Sequence, residues 1–561
     1  MPNVISLATA PRRLMRLRQV AKVLAKYGFG ELLDRLRLWE HANIERRILR
    51  RRGREFAHLS RPERLRLALE EMGPTFVKLG QVLSTRPDLI PQEYIVELEK
   101  LQSNVASIPF DTARQTVESE LGRPITEVFA SFEDEPVAAA SLAQVHRATL
   151  KSGDVVAVKI QRPSAADVIE IDLEIMHNIA GLMERYIDEA RLMNAVGMAR
   201  EFSSNLRKEL DFGVEANNMR RFAHNFAGDN TIHIPEVYKE VSTKRLLVME
   251  YIDGINVSNY SRLSSEGYDL RLIARRGVDI ALKSTFEHGF FHADPHPGNI
   301  FVLPDNVICL LDYGMMGVIS TRQRESMARL AAGVINRDEK GMTRSLEGLV
   351  EAQAAVNVEK LEADMSDLAQ QYDYLPLEDI RFGTLLNEVL RLLVHHRLRL
   401  QTHLIWLFKA VTTIEDVARN MDSNFDMIEC ARPYVQRVLR RRVNPIRQIR
   451  ELYLPTLDLI DFAKEFPYAV RDIVRQLREG RLRIEYEHIG LETVGRTLQR
   501  AANRLALAIV IAALVVGSSL LVNARVPPLA ADISIIGIAG YVIAWGLGLW
   551  LVISMLRSGN T

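Results

Sequence analysis

Thirteen residues, Phe290–Val302, read FFHADPHPGNIFV and decide how the rest of the chain is interpreted. Together with His288 they place three histidines four residues apart, the spacing that brings imidazoles to one metal ion on a helix. Pro295 and Pro297 argue against that helix, because a proline inside a helix removes a hydrogen bond and clashes with the preceding turn. The stretch therefore predicts a loop shaped by its prolines, with histidines that support it rather than bind zinc.

A strand-like segment, residues 303–314, follows this loop and ends in Asp312-Tyr313-Gly314. Asp294, Asn299 and Asp312 are then separated by 5 and 13 residues, intervals that are typical of phosphotransferases. Phosphoryl transfer needs a carboxylate beside the attacking oxygen, and an amide oxygen and a second carboxylate that hold magnesium. We assign Asp294 and Asn299 to catalysis, and Asn299 and Asp312 to the metal.

Upstream segments supply what a nucleotide would need. VVAVKIQRP at 155–163 is a β-branched run around Lys159, which is similar to the strand lysine that contacts nucleotide phosphates and which we also count as catalytic. RLLVMEYIDG at 245–254 is typical of a strand entering a hinge, where Glu250 and Ile252 would offer backbone groups to adenine. A loop before Lys159 would cover the phosphates, and its expected nucleotide contacts are Val137, Ala138, Ala139, Ala140, Ser141, Leu142, Ala143, Gln144 and Val145.

That loop is rich in alanine where a kinase would normally have glycine. Alanine carries a Cβ and disfavours positive φ, so we expect the loop to be stiffer and to hold a nucleotide differently.

Composition and charge exclude several classes of protein. A chain of 561 residues with 47% hydrophobic residues can fill a core, so it is not disordered, and its two cysteines cannot form a disulfide framework. Residues 1–54 carry a net charge of +10, and the apolar residues there recur at helical spacing. A lipid-facing amphipathic helix and a helix packed on the fold both remain open. A transit peptide is a further alternative, and no cleavable secretory signal is seen.

The carboxyl-terminal part contains two apolar runs, Leu505–Val522 and Ile533–Leu556, each long enough to cross a bilayer. Arginines precede the first run and follow the second, which predicts that both ends face the cytoplasm. Two buried soluble helices are the alternative. The runs favour lipid over nucleic acid as the partner of the basic segments, including residues 435–450, and no nucleic acid partner is expected.

Four motifs, in order, carry a resemblance to a known family. They are FVKLGQ at 76–81, AAASLAQVH at 138–146, KELDFGVEANN at 208–218, and HADPHPGN followed by LDYG. On these motifs the chain resembles the UbiB family of atypical kinases, also known by the name AarF, and the carboxyl-terminal hairpin is similar to its bacterial branch. The resemblance implies an α+β, two-lobed protein-kinase-like fold with extra amino-terminal helices and a transmembrane hairpin of two helices.

The resemblance also implies roles for residues that spacing does not explain. Lys78, Gly80 and Gln81 would belong to a regulatory helix that reaches into the active site, and Glu209 and Asp211 would receive Lys78. Glu215 would pair with Lys159 beside the nucleotide. The implied activity is an ATPase or atypical kinase that uses ATP and Mg²⁺ and supports ubiquinone or related isoprenoid quinone synthesis at a bilayer. Quinone precursors and biosynthetic enzymes would be partners, and a homodimer remains open.

The resulting division has six segments: a basic amino-terminal segment (1–60), a helical extension (61–124), an N-lobe with a helical insertion (125–254), a C-lobe (255–430), a basic linker (431–503) and a hairpin (504–557). The expected location is the bacterial inner membrane with the soluble part in the cytoplasm, ahead of the mitochondrial inner membrane. A non-catalytic nucleotide-binding scaffold and a small-molecule kinase of the aminoglycoside or choline type remain as alternatives.

Overall fold

The computed structural model describes residues 10–38, 56, 58–86, 89–101, 107–163, 165–192, 194–336, 338–346, 348–352, 357–372, 381–442, 471, 491–524, 526–530 and 533–557. The chain divides into two compact units, Met1–Ile449 and Arg450–Thr561. Most of the predicted basic linker, including residues 443–450, and residues 1–9, 39–55 and 57 of the basic amino-terminal segment lie outside the described residues.

A twisted antiparallel sheet forms the upper lobe of the first unit. Its strands are β1 (Phe129–Phe132), β2 (Ala138–Ala139), β3 (Ala143–Leu150), β4 (Val155–Gln161) and β6 (Leu246–Glu250), in the order β1-β3-β4-β6 with β2 also paired to β3. β-branched and aliphatic residues fill β4 and β6, and alternate side chains face opposite sides of the sheet. One face packs on α6 (Phe110–Leu121) and buries Val156, Val158 and Ile160 completely.

Further helices surround this sheet, and one of them, α11 (Phe212–Asn225), packs on its other face. Those that precede the sheet are α1 (Ala10–Lys26), α2 (Gly30–Arg35), α3 (Arg61–Met72), α4 (Pro74–Ser84), α5 (Gln92–Leu98), α6 and α7 (Ile125–Val128). Those inserted after β4 are α8 (Ala165–Tyr186), α9 (Asp188–Leu192), α10 (Ala195–Glu209) and α11 (Phe212–Asn225). Phe76, Val77, Leu173 and Leu206 share one apolar core there, so the predicted extension and insertion pack together.

The basic helix α1 packs on the protein. Val20, Ala21 and Ala25 are buried, and Arg16 holds the fully buried Asp172 of α8 through Nε and Nη2 at 2.7 and 3.0 Å. A buried carboxylate needs such a partner, because an unpaired charge in the interior is strongly destabilising. Of the two alternatives for this helix, the structure shows the packed one for the described residues.

The lower lobe is mainly helical around small sheets. Its strands are β5 (Ile232–His233), β7 (Ile255–Asn256), β8 (Phe290–His292), β9 (Ile300–Leu303), β10 (Val307–Leu310), β11 (Met316–Val318), β12 (Val350–Ala352) and β13 (Leu398–Leu400). Its helices are α12 (Tyr260–Ser265), α13 (Leu270–Lys283), α14 (Thr321–Asn336), α15 (Glu339–Leu346), α16 (Val358–Tyr372), α17 (Phe382–His395), α18 (Thr402–Met421) and α19 (Met427–Arg442). The antiparallel pair β9–β10 and the pair β8–β11 hold the loop that follows β8. The predicted α+β, two-lobed kinase-like fold is confirmed.

The second unit contains two long apolar helices, α20 (Leu491–Asn523) and α21 (Ile535–Arg557), joined by the short strands β14 (Leu529–Ala530) and β15 (Ile533–Ser534). Ala502–Asn523 is long and apolar enough to cross a membrane, and Ile535–Leu551 is a shorter apolar helix. A Cβ on Gly540 would lie 2.1 Å from Oγ of Ser518, so glycine lets the two helices approach closely. At Gly546 and Gly548, no atom of the described residues beyond the local helix backbone lies within 4 Å of the corresponding position.

Candidate active site

Lys159 lies at the centre of the cleft because of the register of the upper sheet. On β4 it is directly opposite Val145 of β3 and Leu247 of β6, on the face that α11 covers. Its Nζ is 2.9 Å from both carboxylate oxygens of Glu215, in the first turn of α11, and 3.7 Å from Oδ1 of Asp312. Glu215 and Asp312, which lie 56 and 153 residues after Lys159 in the sequence, therefore form one charged cluster with it.

The charges of this cluster determine one another's protonation. Burial works to lower the pKa of Lys159, but attraction to Glu215 and Asp312 outweighs it and raises that pKa above its ordinary value. Burial works in the opposite sense on Asp312, where Lys159 and the Gly314 amide prevail and lower the pKa of the carboxyl. Burial raises the pKa of Glu215 to about 7, against the attraction of Lys159. Asp312 is therefore the acid of this cluster that stays ionised and can bind a cation.

The loop after β8 is held by its histidines. Nδ1 of His292 accepts a hydrogen bond from the Asp294 amide at 3.2 Å, so Nε2 carries the proton and donates it to the carbonyl oxygen of Asp312. Nδ1 of His296 accepts from the Gly298 amide at 3.1 Å, and the Asn299 amide donates to the His296 carbonyl at 2.9 Å. The His292 bond connects the Asp294 loop to the Asp312 segment, and the His296 bonds fix the loop itself.

Asn299 and Asp312 can hold magnesium only together with oxygens from another molecule. Asn299 directly precedes β9 and Asp312 follows β10, and the Leu311 amide donates to the carbonyl of Asn299 at 3.0 Å, so the paired strands bring the two residues close together. Among the described residues, no group of three or more histidine, cysteine or acidic side chains could hold an ion. An amide oxygen and one carboxylate fit Mg²⁺, which commonly takes one or two protein oxygens and completes its shell with phosphates and water.

The alanine-rich loop is fixed at both of its ends. β2 pairs Ala138 and Ala139 with Val145 and Gln144, and the Ala140 amide donates to the carbonyl of Ala143 at 2.8 Å. Arg162 contacts the loop twice: its Nε donates to the Ala140 carbonyl at 3.0 Å and its amide to the Leu142 carbonyl at 2.9 Å. The described non-glycine residues with positive φ are Arg37, Asn194, Asp305, Asn306 and Arg397, so none of the loop alanines uses that conformation.

The two faces of β3 separate the predicted nucleotide contacts. Val145 lies opposite Lys159, on the cleft face, whereas the fully buried side chain of Gln144 accepts from the Ile108 amide at 2.9 Å on the opposite face. Its amide nitrogen also lies 2.7 Å from Nε2 of His146. The side chain of Gln144 thus supports the sheet, and only its backbone could approach a nucleotide.

The other predicted nucleotide contacts lie in the loop, in a neighbouring core and at the hinge. Ser141 and Val137 belong to the loop, and Leu142 packs into the core of the helical extension. At the hinge, the Glu250 amide donates to the Glu236 carbonyl at 2.8 Å, and a carboxylate oxygen of Glu250 is 2.8 Å from Nε2 of His233. Ile252 follows β6 in the extended segment that joins the lobes.

The helical extension reaches the cleft through Lys78 on α4. Its Nζ is 2.5 Å from Oε1 of Glu209, and the charges of Glu209, Asp312 and Asp294 overcome burial and raise the pKa of Lys78. The expectation that Asp211 also receives Lys78 is wrong for this structure. Asp211 is the N-cap of α11 and accepts from the Gly213 amide at 2.9 Å, a role that favours aspartate because the first helical amides lack partners.

Gly80 and Gln81 attach α4 to the segment that follows α5. A Cβ on Gly80 would lie 2.3 Å from Cδ1 of Leu101 and 2.9 Å from Cδ1 of Leu69, so only glycine allows this approach. Nε2 of Gln81 donates to the Leu101 carbonyl at 3.2 Å. Both residues therefore position α4, and with it Lys78.

One cation of the site was missed by the sequence analysis. Lys409 on α18 places its Nζ 3.1 Å from Oδ1 of Asp294. The sequence contained one signal for this residue: Lys409 is the only Lys, Arg, Asp or Glu between Arg399 and Glu415. A lone charged residue in such an uncharged stretch indicates a position where the helix contacts something charged.

Two lobes, a strand lysine paired with a helix glutamate, and a loop with Asp294 and Asn299 ahead of Asp312 define a protein-kinase-like protein. Models of the ABC1 atypical kinase-like domain, the UbiB helical domain and the ABC1/UbiB kinase-like C-terminal domain match residues 100–346, 365–426 and 489–557. The chain belongs to the ABC1/UbiB family, and the resemblance drawn from the four motifs is confirmed.

Relatives match along most of the chain. A protein of Clostridium pasteurianum, called an uncharacterized protein in the hydrogenase 1 5' region, is 33% identical over 97% of this chain and 99% of its own. Proteins called probable protein kinase UbiB are 35% identical in Marinobacter nauticus, over 75% and 78% of the two chains, and 33% identical in Xanthomonas campestris, over 92% and 93%. A solved structure of a Mycobacterium tuberculosis protein, Rv3197 with erythromycin, is 23% identical over 63% and 90%, with a TM-score of 0.44.

Proposed function

We propose that this protein is a membrane-attached atypical kinase or ATPase that binds ATP with Mg²⁺. The observation that carries the proposal is the convergence of Lys159, Glu215 and Asp312 beside the loop that bears Asp294 and Asn299. Lys159 would bind the nucleotide phosphates, and Asn299 and Asp312 would hold magnesium, which neutralises phosphate charge when bound. Asp294 would orient the attacking hydroxyl or water and accept its proton.

The surroundings of the cleft favour hydrolysis or a small acceptor over phosphorylation of a protein. Lys78 of α4 and Lys409 of α18 both approach the Asp294 side of the site, where a protein substrate would have to dock. The pinned alanine loop gives little freedom for closure over the phosphates. The proposal therefore favours an attacking water or a small acceptor over a folded protein segment.

The apolar helix at 502–523 supports attachment to a bilayer, with the first unit on the cytoplasmic side of a bacterial inner membrane. The family resemblance supports a role in ubiquinone or related isoprenoid quinone synthesis, in which ATP turnover gives soluble enzymes access to lipid precursors. Biosynthetic enzymes and a second copy of the chain are proposed as partners in the same membrane.

The test is Asp294→Asn in the full-length chain. We expect ATP hydrolysis to fall by about 10³-fold, because the oxygen that accepts the proton is lost while magnesium binding is kept. The matched control is Asp305→Asn, the same change in the exposed turn between β9 and β10, which should hydrolyse ATP at the wild-type rate. Phosphate release is measured with Mg·ATP, in detergent and in anionic and neutral vesicles.

The same variants decide between enzyme and scaffold. In a strain that lacks the protein, the wild type and Asp305→Asn should restore quinone and remove accumulated precursors, and Asp294→Asn should not. Restoration by Asp294→Asn would favour the non-catalytic scaffold and contradict the proposal.

A further inference from the structure

Lys409 lies outside the segment that matches the ABC1 atypical kinase-like domain and nevertheless contacts the residue assigned to catalysis. It lies within the helical region 365–426, whereas Asp294 lies within 100–346. The ammonium and the Asp294 carboxylate are 3.1 Å apart, and 43% and 39% of the two side chains are exposed. A half-exposed ion pair contributes little to stability, so stability alone does not explain why this contact is made.

The position of Lys409 is set by its helix and not by its own charge. Its neighbours Phe408 and Ala410 are buried in α18, which packs on α13 and α17. The start of α18 is also tied to the rest of the protein: Thr402 donates to Glu201 of α10 at 2.9 Å and accepts from Arg86 at 3.3 Å. The ammonium is therefore delivered to the Asp294 loop by an anchored helix.

The three lysines of the cleft differ in what they contact. Lys159 is held by Glu215 and Lys78 by Glu209, and neither glutamate is assigned to the chemical step. Lys409 contacts the carboxylate that has to be available to the attacking oxygen. Glu99, whose own pKa burial raises, lies close enough to Lys409 to be affected by its charge. Lys409 thus contacts one acid, is influenced by the charge of a second, and has a flexible stem of four carbons.

We propose that Lys409 is a catalytic cation that pairs with Asp294 in the nucleotide-free protein and moves to the γ-phosphoryl oxygens when ATP is bound. The inference rests on the proposed ATPase function. Asp294 must lie within a few ångströms of the attacking oxygen and of the γ-phosphorus, so a cation on Asp294 is within reach of the charge that spreads over the γ-phosphoryl oxygens. The move also releases Asp294 to accept the proton of the attacking water.

The contact between Lys409 and the γ-phosphoryl oxygens can form with ATP but not with ADP. ADP has no γ-phosphoryl group, so after the γ-phosphorus–oxygen bond breaks and phosphate leaves, Lys409 returns to Asp294. The helical region would then sense the state of the nucleotide through one side chain. Removal of its charge should weaken the binding of ATP and leave that of ADP unchanged.

The experiment uses Lys409→Met and Lys409→Arg in the full-length chain with Mg·ATP, Mg·ADP and a non-hydrolysable ATP analogue. For Lys409→Met we expect kcat to fall by about 10²-fold, as for the loss of one group that stabilises transition-state charge. We expect its affinity for the analogue to fall about tenfold, with ADP affinity unchanged, and Lys409→Arg to keep most of both. Lys409→Gln is a second neutral variant should Lys409→Met fail to fold.

The matched control is Lys283→Met. Lys283 also pairs with an aspartate, Asp229, at 2.6 Å in the lower lobe, and it has no assigned role in the cleft. The Lys283→Met variant should keep the wild-type kcat and the wild-type affinities for the ATP analogue and for ADP. Unchanged kcat in Lys409→Met, or an equal loss of analogue and ADP affinity, would overturn the inference while the ATPase of the wild type stands. Failure of the wild type to bind either nucleotide would instead overturn the proposed function.

Discussion

The two sides of the cleft are built differently. On the inner side, Lys159 of β4 and Glu215 of α11 are 56 residues apart, because the helical insertion lies between them in the sequence. The two elements pack together in space, and only 4% of the glutamate side chain is exposed. On the outer side, Lys78 meets Glu209 and Lys409 meets Asp294 across 131 and 115 residues, and these pairs are more exposed. The inner side is built on a largely buried ion pair that holds its own geometry. The outer side is a set of cations delivered by separate helices.

This difference predicts different consequences of losing a charge. A buried carboxylate without its partner destabilises the fold, because it can reach neither water nor another cation. A partly exposed carboxylate without its partner is solvated instead, so the fold tolerates the loss while the chemistry of the site changes.

The largest effect on stability is expected from Lys159→Ala. It should lower the free energy of unfolding by about 3 kcal/mol at pH 8, because Glu215 stays buried without a counter-ion. The loss should shrink toward pH 5. Burial already raises the pKa of Glu215 to about 7, and removal of the lysine raises it further. A carboxyl whose folded pKa is raised adds stability below its unfolded pKa, and that stability is lost as pH rises through the folded value.

Urea unfolding of the full chain in detergent at both pH values measures this prediction. Lys78→Ala is its control, since the same substitution there breaks a pair whose side chains are 21% and 24% exposed. Its loss should be about 1 kcal/mol and vary less with pH. Equal losses for the two variants would mean that the two sides of the cleft are not energetically different.

An intermediate effect is expected from Gly80→Ala on the outer side. The new Cβ would lie 2.3 Å from Leu101 and 2.9 Å from Leu69, and such overpacking costs about 1–3 kcal/mol. The better helix propensity of alanine offsets up to about 1 kcal/mol of that cost. We therefore expect a net loss of about 1–2 kcal/mol by urea unfolding, with a lower rate of ATP hydrolysis because Lys78 is displaced.

Gly181→Ala in α8 provides the matched control, because no atom of the described residues beyond the local helix backbone lies within 4 Å of its added Cβ. It should raise the free energy of unfolding by up to about 1 kcal/mol. A Gly80→Ala variant that is as stable as Gly181→Ala would show that α4 can move away from Leu101 without cost.

The difference between the two sides of the cleft also explains which site residues could be predicted from the sequence. Asp294, Asn299 and Asp312 lie in one short segment, and Lys159 lies in a strand of recognisable composition, so local spacing was enough to select them. Lys409 has no such pattern around it, since its role depends on how a helix 115 residues away packs. Gln144 and Asp211 could have been assigned better from local rules, by strand alternation and by the preference of aspartate for the N-cap.

The smallest effect is expected from Tyr313→Phe, next to Asp312 on the inner side. Tyr313 is fully buried, and its hydroxyl has no hydrogen-bond partner among the described residues. Its ring packs on Phe222 and His292 at 5.4 and 5.8 Å between centroids, contacts that phenylalanine keeps. Loss of an unsatisfied buried hydroxyl should leave the free energy of unfolding unchanged or raise it by up to about 1 kcal/mol.

Tyr434→Phe makes the same change where the hydroxyl is used, because Oη of Tyr434 donates to Asp279 at 3.2 Å. That variant should lose about 1 kcal/mol in the same urea experiment. A comparable loss in Tyr313→Phe would reveal a partner for the Tyr313 hydroxyl, such as an ordered water between Asp312 and the lower lobe. The inner side would then depend on solvent, and the contrast between a self-contained inner side and an assembled outer side would be weaker than the geometry indicates.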